Sequence, residues 1–297
     1  MNFKVDDWVR HPKYGDGQIA EDRGDKLVIQ FVSSGERLML KSAIDSAGEA
    51  PYPGFRFAKK KASGVTRFKV VRAARVPAPD FDHLVKRFLD VFEGGFAGES
   101  FNSRERLYKQ EAVDLLRDTL GKQQLDELIK AKRFDEVGAR ALRVVHKTNL
   151  IFRQEVIQFN EALKAKEFQL VFALALRELL YDTMDSELRF NAFTNALSRG
   201  GVGKWTIATY FQFLWSDGEM MFMKPAVMKS MSESLNIALN YRPEPNWLTY
   251  CKMQELAKRV DQELRVRGLN PRSGIDVQGF IWASIRIEEG KYDKTEP

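Results

Sequence analysis

Ser198-Arg-Gly-Gly-Val-Gly-Lys-Trp-Thr206 is the stretch on which the reading of this chain turns. One helical run, 186–198, leads into it and a second, 204–215, leaves it. A glycine-rich turn ending in lysine first suggests the phosphate loop of a nucleotide triphosphatase. That loop needs a glycine where Ser198 stands and a hydroxyl where Trp205 stands, and no parallel-sheet pattern precedes it. The triphosphatase reading fails. Two helices joined by a glycine hairpin fit better. Glycine adopts positive φ and lets the turn approach a phosphate with no side chain in the way. The free N–H groups and positive dipole end of the next helix then hold the anion, and Lys204 adds a full charge. The bland alternative is a glycine turn between core helices.

Outward from the hairpin, helical spacing extends over 80–297. Phe81, Leu84, Val85, Phe88, Leu89 and Phe92 form one apolar stripe, ended by Gly94-Gly95. Further helices are predicted over 104–120, 123–132, 135–147, 150–165, 167–182, 225–239 (Pro225 at the first position), 246–267 and 276–288. Residues 1–47 read instead as short strands, with turn clusters at Tyr14-Gly-Asp-Gly17 and Arg23-Gly-Asp25. Their number predicts a small SH3-like or Tudor-like β-barrel. Residues 48–79 read as a basic linker or a hairpin turning at Ala62-Ser63-Gly64, closed off by Val76-Pro-Ala-Pro79. The expected fold class is mainly α with a small N-terminal β-barrel.

Composition narrows the class. The 297 residues are 44% hydrophobic and 30% charged, which supports packed cores. No apolar run reaches the ~18 residues of a membrane span, and Met1–Asp7 lacks the apolar centre of a signal peptide. One cysteine, Cys251, and three scattered histidines predict no disulfide, no metal site and no cofactor. A cytoplasmic protein is expected. The net charge of +6 is unevenly placed: residues 51–79 hold eight basic side chains and no acidic one, whereas 80–297 balance at 32 of each. Lys59, Lys60, Lys61 and Arg67 in that block are candidate contacts for an anionic polymer.

Gly201-Val-Gly-Lys-Trp-Thr206 resembles the hairpin of the helix-hairpin-helix DNA glycosylase superfamily, particularly its 3-methyladenine glycosylase branch, which has tryptophan at the position of Trp205. The resemblance spans about residues 150–290 and is specific only at the hairpin. It implies a glycosylase-like all-α domain that contacts DNA through Gly201, Gly203, Lys204, Trp205 and Thr206. Arg199 and Gly200 replace the usual leucine and proline, and Ile207 stands where alanine is frequent. The superfamily places its active-site aspartate at the start of the following helix. Here that start reads Phe222-Met-Lys-Pro-Ala-Val227, with Lys224 or Pro225 in the acid's place. Cleaving a glycosidic bond builds positive charge on the sugar, which a carboxylate stabilises and an ammonium opposes. Asp217 and Glu219 could substitute if their loop folds over a pocket; Asp276 is a third candidate, though it is expected to cap the last helix. Of the aromatic residues nearby, Tyr210, Phe211, Phe213, Trp215 and Phe222 are expected mostly in the core, with Trp205 the exception available for stacking on a base.

The N-terminal pattern Val5-x-x-Trp8-Val9-x-His11-Pro12-x-Tyr14-Gly15-x-Gly17 is followed by Gly24-Asp-Lys-Leu-Val-Ile-x-Phe31 and Gly35-x-Arg37. It resembles the Tudor-like tail of UvrD-type helicases and the RNA-polymerase-interacting domain of CarD-type regulators. The resemblance implies a protein partner, with an edge able to take a partner's strand; His11 is read as structural.

Together these readings predict a DNA-binding protein acting in DNA repair, genome maintenance or antiviral defence against foreign DNA. The expected DNA is double-stranded, and Lys224 joins the contacts. Two alternatives stay open: an active DNA glycosylase excising a modified base, and an adaptor for RNA polymerase or a helicase acting through residues 1–47.

Overall fold

The structure, a computed structural model, describes residues 3–31, 35–44, 46–48, 56–62, 65–71 and 78–292. The chain divides into two compact units, residues 1–77 and 78–297. Each is described by itself.

In the first unit, strands β1 (Trp8–His11), β2 (Gly15–Arg23), β3 (Lys26–Phe31), β4 (Gly35–Leu40) and the two-residue β5 (Ser46–Ala47) form an antiparallel sheet in the order β4-β3-β2-β1-β5. Gly15 and Gly24 take φ of +71° and +80° at the tight turns read from the sequence. Val9, Ile19, Leu27, Ile29, Phe31 and Ile44 make its core. His11 stacks on Tyr14 with ring centroids 4.8 Å apart, a packing role. The expected barrel is not closed. Among the described residues β4 and β5 are free edges, and no ladder joins them. The basic segment contains a hairpin, β6 (Arg56–Ala62) with β7 (Val65–Val71), in which Ala62 pairs with Val65. The predicted turn residues, Ser63 and Gly64, lie outside the described residues.

The second unit is helical: α1 (Phe81–Val91), α2 (Glu99–Phe101), a π-helical turn (Asn102–Arg106), α3 (Leu107–Leu120), α4 (Lys122–Lys130), α5 (Phe134–His146) and α6 (Arg153–Ala162). There follow α7 (Lys166–Tyr181), α8 (Ser186–Arg199), α9 (Trp205–Trp215), α10 (Pro225–Ser234), α11 (Trp247–Val266) and α12 (Gly274–Glu288). Of the α1 stripe, Phe81, Leu84, Val85, Phe88 and Phe92 are buried as the spacing requires, whereas Leu89 is exposed. Asp185 and Asn246 cap α8 and α11 through their side-chain oxygens. At α12 the cap is Ser273, whose Oγ accepts from the Ile275 N–H; the expectation that Asp276 caps this helix is corrected. Helix α10 starts at Pro225 but stops at Ser234, short of the predicted 239, because Asn236 and Asn240 adopt left-handed φ of +52° and +47°.

Two helices form the centre. Every residue of α9 from Trp205 to Leu214 is buried, and α12 is buried over most of its length. α12 packs on α1, α10 and α11, while α9 packs on α3, α7 and α8. The two central helices meet where the loop after α9 touches the start of α12. A Cβ on Gly218, already at φ +87°, would lie 2.3 Å from the Gly274 carbonyl carbon. Replacing Gly218 by alanine is therefore expected to cost roughly 3 kcal/mol of stability in urea unfolding, combining overpacking with left-handed strain. Gly290→Ala, left-handed but with nothing near its Cβ position, should cost only about 1 kcal/mol.

Candidate functional site

The bend between α8 and α9 reaches the surface. Arg199, Gly201 and Lys204 are exposed, while Val202 between them is buried. Gly201 takes φ +70°, which lets the Val202 N–H return to the Leu197 carbonyl at 2.9 Å. Its neighbours are glycine for space. A Cβ on Gly200 would sit 2.4 Å from the Phe168 ring, and one on Gly203 would sit 2.6 Å from Ser198 Oγ. Lys204 occupies the cap position of α9 with no side-chain cap bond. The N–H groups of Gly203, Trp205 and Thr206 have no protein acceptor among the described residues. One acid stands close: Thr206 Oγ1 donates to Glu155 Oε2 at 2.7 Å, placing negative charge beside this helix start.

Trp205 does not serve as the stacking surface the sequence suggested. It is 3% exposed, packs against Phe190, and donates from Nε1 to the Arg242 carbonyl at 2.8 Å. The reason is its place on α9, a helix surrounded on all sides. Tyr210, Phe211, Phe213 and Phe222 are core residues, and Trp215 packs edge-on against Tyr181.

The three candidate carboxylates are not brought together. Asp276 is fully buried and tied to two guanidiniums, Arg106 at 2.8 Å and Arg272 at 2.8 Å, and it accepts the Arg272 N–H as well. Asp217 pairs with Arg117 at 2.9 Å, and Glu219 is exposed on the same loop. None of the three lines the cavity of the helical unit. Lys59, Lys60, Lys61 and Arg67 lie in the first unit, where the hairpin register sets Lys60 opposite Arg67, Lys59 opposite Phe68 and Lys61 opposite Thr66.

That cavity, of about 640 Å³, is where Lys224 leads. Its walls come from the π-helical turn, the end of α5, the start of α6, Lys224 itself, α12 and residues 291–292. Five lysines and arginines line it against one acid, Glu105. Lys224 is 9% exposed. Its Nζ lies 3.8 Å from the Trp282 ring centre and 4.7 Å from that of Phe152, with no hydrogen-bond acceptor or carboxylate paired to it. Burial pushes its pKa down to about 8, helped by the positive charges of Arg286 and Lys109; Glu105 and Glu155 act in the opposite direction.

Glu105, 4% exposed, is fully engaged. Its Oε2 accepts from Lys109 Nζ at 3.0 Å, and its Oε1 accepts from the Tyr292 O–H at 2.9 Å. Burial lowers the pKa of Lys109, which Glu105 partly offsets, and burial followed by the Glu105 charge raises that of Tyr292. Gly279 makes room for this group: a Cβ there would lie 2.9 Å from the Phe101 ring and 3.6 Å from Glu105 Cβ.

Of the cavity residues, the sequence reading named Lys224 alone. Glu105, Phe152, Trp282, Arg286 and Tyr292 come from four distant segments with no motif spacing. The only available signal was the i,i+4 pair Glu105–Lys109, which reads as an ordinary solvated face. Among the described residues no helix is long and apolar enough to cross a membrane, and no cluster of metal-ligating side chains occurs. Compared with known families, with curated proteins and with solved structures, the chain matches none.

The two buried charges should respond oppositely to removal. Asp276→Ala leaves two guanidiniums without their acceptor and is expected to cost about 3 kcal/mol, the lower end for a broken buried pair because both arginines keep water contact. Lys224→Met removes an unpaired cation and should stabilise the fold by about 3 kcal/mol at pH 7. Between pH 8 and the ordinary lysine range the unfolded chain holds a proton that the folded chain has lost. Stability of the natural protein therefore rises with pH in that window relative to the methionine variant. Denaturant titrations of both at pH 7 and pH 9.5 check the sign.

Proposed function

We propose that this chain is a DNA-binding protein whose helical unit holds DNA in the manner of helix-hairpin-helix glycosylases without performing their chemistry. Repair, genome maintenance or defence against foreign DNA, inside the cytoplasm, is the setting this reading implies. The observation that carries it is the solvent-facing bend, where unbonded amides and the Lys204 ammonium stand together at a helix start. The cavity adjoins it across a single turn of α6. Glu155 of that turn bonds Thr206 at the bend, while Arg153 and Val156 beside it line the cavity. The basic hairpin, whose backbone register sets Lys60 opposite Arg67, also suits a polyanion.

Glycosidic cleavage finds less support. The lining acid, Glu105, is already bonded to Lys109 and Tyr292, and the cavity's excess of cations opposes a positively charged transition state. A second reading, the adaptor for RNA polymerase or a helicase, is favoured by the open sheet: β4 is an edge strand with Leu38 and Leu40 about half exposed. Purified RNA polymerase binding the intact chain, and losing it on Leu38→Lys, would support that reading.

Binding of a labelled duplex across 50–200 mM salt tests the DNA reading. Contacts to four to six phosphates give a log–log slope of roughly −4 to −5. Lys204→Gln should weaken binding several-fold and flatten the slope by about one. Glu155→Gln, which removes the acid beside the bend, should tighten it. Salt-independent binding, or affinity indifferent to both substitutions, overturns the proposal.

A further inference from the structure

The cavity is lined by two cationic side chains, one with no acceptor in the fold and one only partly paired. One is the Lys224 ammonium, nine-tenths buried and seated between the rings of Trp282 and Phe152. The other is Arg286, whose guanidinium stands 5.1 Å from the same Trp282 ring and whose Nε is buried with no hydrogen-bond partner. Buried donors are nearly always bonded and buried cations nearly always paired, so an unpartnered Nε and an ammonium without an anion on one indole require an explanation. Around them Glu105, Lys109 and Tyr292 are paired, and Tyr210 exchanges hydrogen bonds with Thr148 and Val144.

The charges name the missing acceptor. Glu105 is committed to Lys109 and Tyr292, and Arg286 Nη1 and Lys291 both reach Glu289 at the rim, at 2.7 and 3.3 Å. Glu155, the other acid acting on Lys224, is bonded to Thr206. Lys224 and the part of the Arg286 guanidinium not held by Glu289 are left to a ligand, together with Arg153, which also lines the cavity and has no paired acid among the described residues. A doubly charged group with three terminal oxygens reaches separate ammonium and guanidinium donors at once and matches their two charges, whereas a single carboxylate brings one negative charge. The volume, about 640 Å³, far exceeds one phosphate and suits a small organic molecule. Ile151, Val156 and Ile157 give it an apolar wall. A phosphodiester inside a strand lies between two sugars and is poorly shaped to reach an ammonium this deeply set; a terminal phosphate is not so hindered.

We propose that the cavity binds an organic phosphate monoester, its phosphate against Lys224 and Arg286 and its organic part against the apolar wall. The site does not depend on the bend or on duplex binding. Two sources share the chemistry, a free nucleoside monophosphate and the 5′-phosphorylated end of a nucleic-acid strand. Affinity should peak between about pH 6, where the phosphate gains its second charge, and pH 8, where Lys224 loses its proton. His146 and Arg104 also border the cavity and add to that field.

Calorimetry with the full chain decides it, using adenosine 5′-monophosphate, adenosine, and a short single strand with either a 5′-phosphate or a 5′-hydroxyl. The proposal expects the monophosphate or the 5′-phosphorylated strand to bind at least tenfold tighter than its phosphate-free counterpart. It expects the preference to vanish in Lys224→Met and to fall in Arg286→Gln. Because the methionine variant is expected to be the more stable protein, its loss of binding would not be a loss of fold. A preference confined to the strand assigns the site to strand ends; one shown by the free nucleotide assigns it to the small molecule. Equal binding with and without phosphate, or a preference that survives Lys224→Met, overturns the proposal.

Discussion

An α-helix buried on most of its circumference has little to give to water, and the helical unit is arranged around two of them. α9 and α12 bury nearly every side chain they carry, so their neighbours must enclose them. Enclosure sets the close approaches seen elsewhere. Gly218 meets Gly274 backbone to backbone, Gly200 accepts the Phe168 ring, and Gly279 admits the turn that carries Glu105. It also decides the fate of Trp205: as the first residue of a surrounded helix it belongs to the core, and only the bend preceding it faces solvent.

Burial of this extent imposes a rule on charge, and the exception to the rule marks the site. Asp276 enters the interior with two arginines and a backbone amide. Glu105 enters with a lysine and a tyrosine. Lys224 enters with two aromatic rings and no anion. Cation–π contact recovers part of the lost hydration, on the order of 2 kcal/mol when desolvated, but it does not neutralise the charge. A lysine held in this way lowers stability in the free protein, a pattern expected where a side chain is kept for a ligand rather than for the fold.

Much of the architecture is legible along the chain because it rests on local rules. The stripe from Phe81 to Phe92, Pro225 at a helix start and the cap at Asn246 each depend on residues within one or two turns. The bend at Gly201 was legible for the same reason. Sheet closure was not, since a count of strands says nothing about whether the first and last ladders meet. The cavity was less legible still. Glu105 and Tyr292 are 187 residues apart, and what joins them is a hydrogen bond from Tyr292 to a π-helical turn that no spacing rule anticipates. Asp276 shows the converse: a carboxylate near a helix start reads as a cap, whereas two arginines from outside that reading claim it.

Lys224 or Pro225 stands at the helix start where the resembled superfamily places a carboxylate, and the Lys224 ammonium sets a field of the opposite sign there. A carboxylate at the head of α10 favours positive charge developing on a sugar; an ammonium there, with Arg286 on the same indole, favours a group that is already negative. The short α6 turn lies between the bend and the cavity: Glu155 bonds Thr206 on one side and Arg153 lines the cavity on the other. Glu105, the one acid lining the cavity, is held back by Lys109 and Tyr292 from pairing with that ammonium, so the fold itself does not cancel the positive field.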